Sequence, residues 1–289
     1  MTQNIIIEID DYKKILNNNK IHFDNLSTIC KQIGESVEGN CFTEHLNIDH
    51  IMKELIYKQL NHFSLGMNAT NIMEIGFNAG HSSLLYLLSN SNSKLTIFDV
   101  CSHIYTIPCF KYLQSVFPDR LQIFPGDSTN TIPKFINNNP NTKFDLIHID
   151  GCHHQDIANQ DFYNSLKLAS DIIIWDDTQM KHLDNLLNEY IRKGLVSEVF
   201  MYKTLTYEHR ICRKNLLLNK KYKWEDSTIT FLENCEMNAF GLGKYNFIDK
   251  YLVECHFGGM EHLLKFNQDY STFISVRKDD SIVVVGHHL

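Results

Sequence analysis

The chain has 289 residues, 43% of them hydrophobic and 21% charged, with a net charge of −7 at neutral pH. That is the make-up of a soluble globular protein long enough for one large or two unequal domains. It excludes a nucleic-acid binder, which needs a basic face to displace counterions, and no run approaches the ~18 apolar residues that span a bilayer. Residues 1–10 hold one apolar triplet flanked by acid and no basic leader, so no signal peptide is expected. The eight cysteines are scattered without a Cys-x-x-Cys pair, which reads as reduced thiols in a cytoplasmic protein.

In chain order, residues 1–42 read as a weakly patterned helical extension. Asn47 then precedes an amphipathic pattern of Ile48, Ile51, Met52, Leu55, Ile56, Leu60 and Phe63, for which it is a suitable N-cap. From Asn71 strand and helix signals alternate. Strands are expected at 71–77, 94–100, 120–127, 144–150 and 171–177, with helices at 80–89, 105–117, 131–138, 155–169 and 181–193. Continuous apolar strands separated by helices imply a parallel sheet covered on both faces. Val196–Tyr202 and Glu208–Arg213 read as a closing antiparallel pair. Beyond Lys214 short β-like runs recur at roughly ten-residue spacing between glycines, which predicts a small all-β module over 215–289. Its boundary is expected near 215–223. Trp224, Phe240, Tyr245, Phe257 and Tyr270 there are core candidates, or else an aromatic platform.

The chemistry concentrates where strands end. The run Phe144–Asp150 stops at Gly151-Cys152-His153-His154, and Asp171–Trp175 stops at Asp176-Asp177. With one helix between them these runs form a βαβ unit, so Asp150, Asp176 and Asp177 should meet on one sheet edge. Three acids in one cleft repel, and that calls for a positive partner. The first strand runs into Glu74-Ile-Gly76-Phe-Asn-Ala-Gly80-His-Ser82, a glycine turn that lets a ligand approach bare backbone at a helix N-terminus. Gly76 and Gly80 could equally serve tight strand–helix packing. The second strand ends at Asp99, a carboxylate able to accept ribose hydroxyls or to cap a helix, and the third at Gly126-Asp127-Ser128.

Together, Glu74-x-Gly76-x-x-x-Gly80, Asp99, Gly126-Asp127-Ser128 and the Asp150 strand resemble the class I S-adenosylmethionine-dependent methyltransferases over residues 43–214. The resemblance implies a Rossmann-like seven-stranded sheet, with the N-terminal helices before it and the β module after it. It also implies that Glu74, Gly76, Gly80, Ser82, Asp99, Asp127, Ser128 and Asp150 bind S-adenosylmethionine. Gly76 to Gly80 would pass beside its methionine part, Ser82 would hold its carboxylate, Asp99 the ribose, and Asp127 and Ser128 the adenine.

Asp150 followed by Asp176-Asp177 is similar to the divalent-metal-dependent O-methyltransferases of the catechol and caffeoyl type and to related sugar-modifying enzymes. That likeness implies that Asp150, Asp176 and Asp177 hold a metal, magnesium by preference for hard oxygen ligands. Where that family has a lysine base three residues after the first metal Asp, this chain has His153, with His154 beside it. A histidine titrating near neutrality can do the same work. His148, inside its strand, reads as a core histidine. Tyr202, Tyr207, Glu208 and His209 are candidate acceptor contacts. The expected reaction is transfer to a hydroxyl of a sugar, glycan or other small molecule, with no nucleic acid or membrane partner and homo-oligomerisation left open. A non-catalytic binding protein on the same scaffold is one competing reading. A nucleotide-dependent oxidoreductase is another, disfavoured because Gly-x-Gly-x-x-Gly is absent.

Overall fold

The computed structural model describes residues 6–42, 55–204 and 208–289. The chain divides into two units, Met1–Asp184 with Val199–Cys212 and Asn185–Glu198 with Arg213–Leu289. The first opens with α1 (Ile9–Asn18), α2 (Lys20–Ile33) and α3 (Ile56–Met67). Gly34 ends α2 in a left-handed conformation, φ +80°, with its N–H donating back to the Cys30 carbonyl. Leu26 and Cys30 join the same hydrophobic cluster as Ile72, Ile97 and Leu146 of the sheet. Within that cluster the Cys30 and Cys109 sulfurs lie 3.7 Å apart.

Of the helix expected from Asn47, the residues Ile48, Ile51 and Met52 lie outside the described ones. The helix that follows is not a one-sided amphipathic one. Lys58, Gln59, Asn61 and His62 are buried along with Leu60 and Phe63, so α3 is enclosed nearly all round.

The sheet alternates with helices as its pattern predicts. Strands β1 (Asn71–Ile75), β2 (Lys94–Asp99), β3 (Leu121–Pro125), β4 (Phe144–Ile149) and β5 (Ala169–Trp175) are parallel neighbours in the order β3-β2-β1-β4-β5. Helices α4 (His81–Ser89), α5 (Thr106–Val116), α6 (Ser128–Asn138) and α7 (Gln155–Leu168) make the crossovers, and α8 (Lys181–Arg192) follows β5. Strands β6 (Val196–Glu198) and β7 (Arg210–Lys214) complete a seven-stranded sheet, β3-β2-β1-β4-β5-β7-β6. The order reverses between β1 and β4, and the crevice outside their carboxyl ends is where ligands of such sheets bind.

The second unit contains eight further strands. They are β8 (Lys221–Trp224), β9 (Ser227–Phe231), β10 (Glu236–Asn238), β11 (Leu242–Asp249), β12 (Leu252–Phe257), β13 (Met260–Phe266), β14 (Thr272–Arg277) and β15 (Val283–His288). They close into an antiparallel barrel in the order β10-β11-β12-β13-β14-β15-β8-β9. Trp224, Tyr245, Phe257 and Tyr270 belong to its core, whereas Phe240 is 65% exposed. Strand β8 starts inside the stretch expected to be a boundary. Its alternation of exposed lysines with buried Tyr222 and Trp224 makes it a wall of the barrel.

At the reversal of strand order, Gly76 has φ +91°, and a Cβ there would stand 1.9 Å from the Asp150 carbonyl oxygen. Strain and backbone clash act together at this position. Gly76→Ala should cost more than about 2 kcal/mol in urea unfolding, whether or not ligand is present. A loss under about 0.5 kcal/mol would show that the β1 and β4 ends can part there.

Candidate active site

The carboxyl ends of β1, β2, β3 and β4 open on a cavity of about 730 Å³, a size that suits a nucleoside-sized ligand. Gly76, Asp99, Asp127, Ser128 and Asp150 all line it. Gly80, Glu74 and Ser82 do not. Gly80 begins α4 at φ +84°, where a Cβ would meet the Phe77 ring at 2.5 Å, so packing alone requires a glycine. Glu74 is fully buried, and its carboxylate accepts from Ser82 Oγ (2.5 Å), from Ser83 Oγ and from His148 Nδ1 (3.1 Å). A buried carboxylate needs donors, and the first turn of α4 supplies two. Ser82, expected to hold a ligand carboxylate, is therefore engaged with Glu74.

Asp99 lines the cavity, but its side chain also organises it. Oδ2 accepts from the Phe77 and Asn78 N–H groups at 2.6 and 3.1 Å, and Oδ1 from Cys101 N–H at 2.6 Å. It is thus neither a helix cap nor a bare acceptor: it fixes the glycine turn. Asp127 caps α6, accepting from the Thr129 N–H and hydroxyl, which hold its carboxyl below the usual range.

The three acids at the ends of β4 and β5 separate into two sets. Asp176 is 3% exposed and turns inward, where its Oδ1 takes the Lys58 Nζ at 2.7 Å and its Oδ2 lies 3.5 Å from His148 Nε2. Burial opposes its charge, but Lys58 and then His148 overcome this and hold its carboxyl well below the usual range. Burial likewise disfavours the His148 imidazolium most strongly, yet its bonds to Asp176 and Glu74 prevail and push it up to about 10. His62 stands against His148 with ring centroids 4.6 Å apart and bonds Tyr86 through Nδ1. Burial and the neighbouring His148 charge keep His62 well below its ordinary value. His209 is buried and pushed down to about 3, with its Nε2 2.9 Å from Asn61 Nδ2.

The outward set is Asp150, His153 and Asp177, whose ligand atoms all lie within 4.8 Å of one another. Burial and the Asp176 charge push the Asp150 carboxyl up to about 8. His153 Nε2 lies 2.7 Å from Asp177 Oδ2, and that bond raises the imidazole above its ordinary value. Asp177 Oδ1 also accepts from Gln179 Nε2. His154 is exposed at the N-terminus of α7 and makes no side-chain cap bond. Of the expected metal ligands, Asp150 and Asp177 thus share a site with His153, and Asp176 is occupied by Lys58.

Of the expected acceptor contacts, the described residues Tyr202, Glu208 and His209 do not line the cavity. Tyr202 stacks on Tyr57 and exchanges backbone hydrogen bonds with the Asn61 side chain. Glu208 offers its carbonyl to Thr178 N–H, and Tyr207 lies outside the described residues. What the sequence did not reveal is the segment 34–40, whose Glu38, Gly39 and Asn40 form one cavity wall. His103 latches it, with Nδ1 2.8 Å from Glu35 Oε1 and Nε2 3.4 Å from Glu38 Oε1, while Asn78 Nδ2 donates to the Gly39 carbonyl. Nothing in the local pattern marks these residues, because their partners lie between 39 and 69 positions away. Lys58 was also missed, although a lysine on the apolar side of α3 was a visible signal.

The first unit thus has the fold of the class I S-adenosylmethionine-dependent O-methyltransferases, as the resemblance implied. Within it, residues 73–178 match the family model Methyltransf_24, a methyltransferase domain. No curated protein is a significant match to the sequence. Among solved structures, the chain is similar to an O-methyltransferase from Bacillus cereus in complex with SAH, at 18% identity and TM-score 0.50, over 67% of this chain and 90% of that one. It is also similar to a protein from Staphylococcus aureus designated a caffeoyl-CoA O-methyltransferase, at 15% identity and TM-score 0.50, over 72% and 99%. CalS11, a TDP-rhamnose 3'-O-methyltransferase of calicheamicin biosynthesis, follows at 14% identity and TM-score 0.47, over 56% and 80%.

Two predictions test the charge arrangement. Lys58→Met leaves the buried Asp176 and Glu74 carboxylates to share the His148 imidazolium and should cost about 3–5 kcal/mol in urea unfolding; a loss under about 1 kcal/mol would mean that Asp176 finds another partner. His103 is raised although burial opposes its charge, because Glu35, Glu38 and Asp99 favour the imidazolium. The latch is therefore complete below the ordinary imidazole range and lost as pH rises through the raised His103 value. Proteolytic cleavage within 34–40 should accelerate between pH about 5 and about 9, and His103→Gln should be cleaved rapidly at both ends of that range.

Proposed function

We propose that this protein is an S-adenosylmethionine-dependent O-methyltransferase that acts on a hydroxyl of a sugar, glycan or related small molecule. The observation that carries the reading is the Asp150–His153–Asp177 cluster on the rim of a nucleoside-sized cavity beside the Gly76 turn. Gly76 admits the ligand to bare backbone, and Asp127 and Ser128 offer polar contacts at the far strand tip. His153 is the base: Asp177 holds Nε2 and raises the basicity of the imidazole, so that the other ring nitrogen, Nδ1, can take the proton of an acceptor hydroxyl. The acids on the rim offer hydrogen-bond acceptors to the other hydroxyls of a polyol.

A divalent cation fits the outward donor set of two carboxylates and one imidazole. Asp150 and Asp177 would hold it, without Asp176. When bound, such a cation lowers the pKa of a coordinated hydroxyl. The His153–Asp177 pair and the engagement of Asp176 by Lys58 favour a second reading, in which the same dyad works without metal. All eight cysteines are free thiols, which supports a cytoplasmic location, and among the described residues no helix is long and apolar enough to cross a membrane.

Calorimetry with S-adenosylhomocysteine, with and without magnesium, tests both readings. Binding strengthened by magnesium supports the metal-assisted form, and binding indifferent to it supports the dyad alone. Against a panel of sugars, nucleotide sugars and catechols, Asp150→Ala should abolish methyl transfer. His153→Ala should lower kcat by about 10²–10⁴ with donor affinity unchanged. Full activity in either variant would remove that residue from the mechanism.

A further inference from the structure

A second group of ligand-type side chains lies in the interior, and the proposed chemistry does not use it. His62 of α3, His148 of β4 and Asp176 after β5 are buried, and one ligand atom of each lies within 4.8 Å of the other two. None of the three lines the cavity. Each imidazole already has a partner on Nδ1: Glu74 Oε1 at 3.1 Å for His148, and the Tyr86 hydroxyl at 2.6 Å for His62. That leaves Nε2 on both rings. His62 Nε2 has no hydrogen-bond partner among the described residues. His148 Nε2 stands 3.5 Å from Asp176 Oδ2, beyond the about 2.7–2.9 Å of a charge-assisted bond. Asp176 Oδ1 is taken by Lys58 Nζ, so Oδ2 is the oxygen that remains. A nitrogen and an oxygen bound to one tetrahedral zinc ion, each at about 2.0–2.2 Å, lie about 3.4 Å apart. The gap between His148 and Asp176 matches that separation.

We propose that His62, His148 and Asp176 form a buried zinc site that pins α3 to β4 and β5, separate from the Asp150–His153–Asp177 cluster on the rim. The ion takes the place of the Nε2 proton of His148, which passes to solvent. His148 keeps its other N–H on the Glu74 carboxylate, the outer partner that a metal-bound histidine ordinarily has. His62 binds as the tautomer whose Nδ1–H donates to the Tyr86 oxygen. Glu74 and Asp176, which favour a single positive charge between them, favour a doubly charged ion more strongly. Two imidazoles select zinc over magnesium, which prefers oxygen ligands. A water completes the shell, and His209 is placed to hold it. The His209 ring is 5.1 Å from that of His62, and its Nε2 accepts from Asn61 Nδ2. Its proton is therefore on Nδ1, which is buried without an acceptor among the described residues. The inference does not depend on the methyltransferase reading.

The test uses the full chain, stripped with a chelator and reloaded with one equivalent of cobalt(II) or zinc. Cobalt should bind with the intense visible absorption of a tetrahedral site. His62→Asn keeps a polar partner for Tyr86 but removes Nε2, and should abolish those bands. His153→Ala, which removes the only imidazole of the rim cluster, should retain them. Should the His62 variant fail to fold, zinc K-edge absorption of the wild-type protein counts the imidazoles on the ion. Two imidazoles mark the buried site, and one marks the rim. Wild-type protein without tetrahedral cobalt bands overturns the assignment. So do bands lost in His153→Ala but kept in folded His62→Asn, and so does a zinc shell with a single imidazole.

Discussion

The ion pair between Lys58 and Asp176 is the constraint on which the rest of the site depends. At 2.7 Å and nearly without solvent, the attraction is of order 6 kcal/mol at an effective dielectric of about 20, while each buried ion loses several kcal/mol of hydration. The two effects roughly cancel, so the pair adds little net stability. Its value is in arrangement. Asp176 reaches on through His148 to Glu74, and Glu74 to Ser82 and Ser83, so one polar chain links α3, the end of β5, β4, β1 and the first turn of α4. Two basic groups and two carboxyl groups compensate each other inside the sheet's edge.

That compensation decides which acids are available to ligands. With Asp176 drawn inward, only Asp150 and Asp177 of the three face the cavity, and Asp177 already orients His153. The repulsion expected among three clustered carboxylates is relieved in part by an internal ammonium rather than by an external ion. Burial first, and after it what remains of that repulsion, keeps the Asp150 carboxyl raised. On the other side of the cavity, Asp99 spends its oxygens on the Phe77, Asn78 and Cys101 amides, so the turn beside Gly76 is held from β2 as well as by its own strand.

Much of this was legible in the sequence, for reasons that differ between parts. The five parallel strands are continuous apolar runs and were placed to within a few residues, because a strand buried on both faces has little freedom of composition. Asp150, Asp177 and His153 converge because topology alone brings successive strand ends to one edge. The fate of Asp176 was not legible, since it depends on Lys58, 118 positions earlier and on a helix whose burial was read as one-sided. The partner of Ser82 was not legible for a related reason: the glycine-turn pattern gives positions but not rotamers, and its hydroxyl donates to the buried Glu74. Strand β8 was read as part of a boundary because its lysines mask the inward Tyr222 and Trp224. The wall at 34–40 left no local trace at all, being made by long-range bonds to His103 and Asn78.

The barrel of the second unit is a complete ring, in which β8 pairs β15 and β10 pairs β9. Every strand therefore has a neighbour on both sides, and the ring presents no open seam of amides and carbonyls. An extended peptide, or a second such module, has no backbone edge on which to zip itself by strand addition. Recognition by this appendage must go through side chains and connecting turns, and so can change by surface substitution while the ring stays intact.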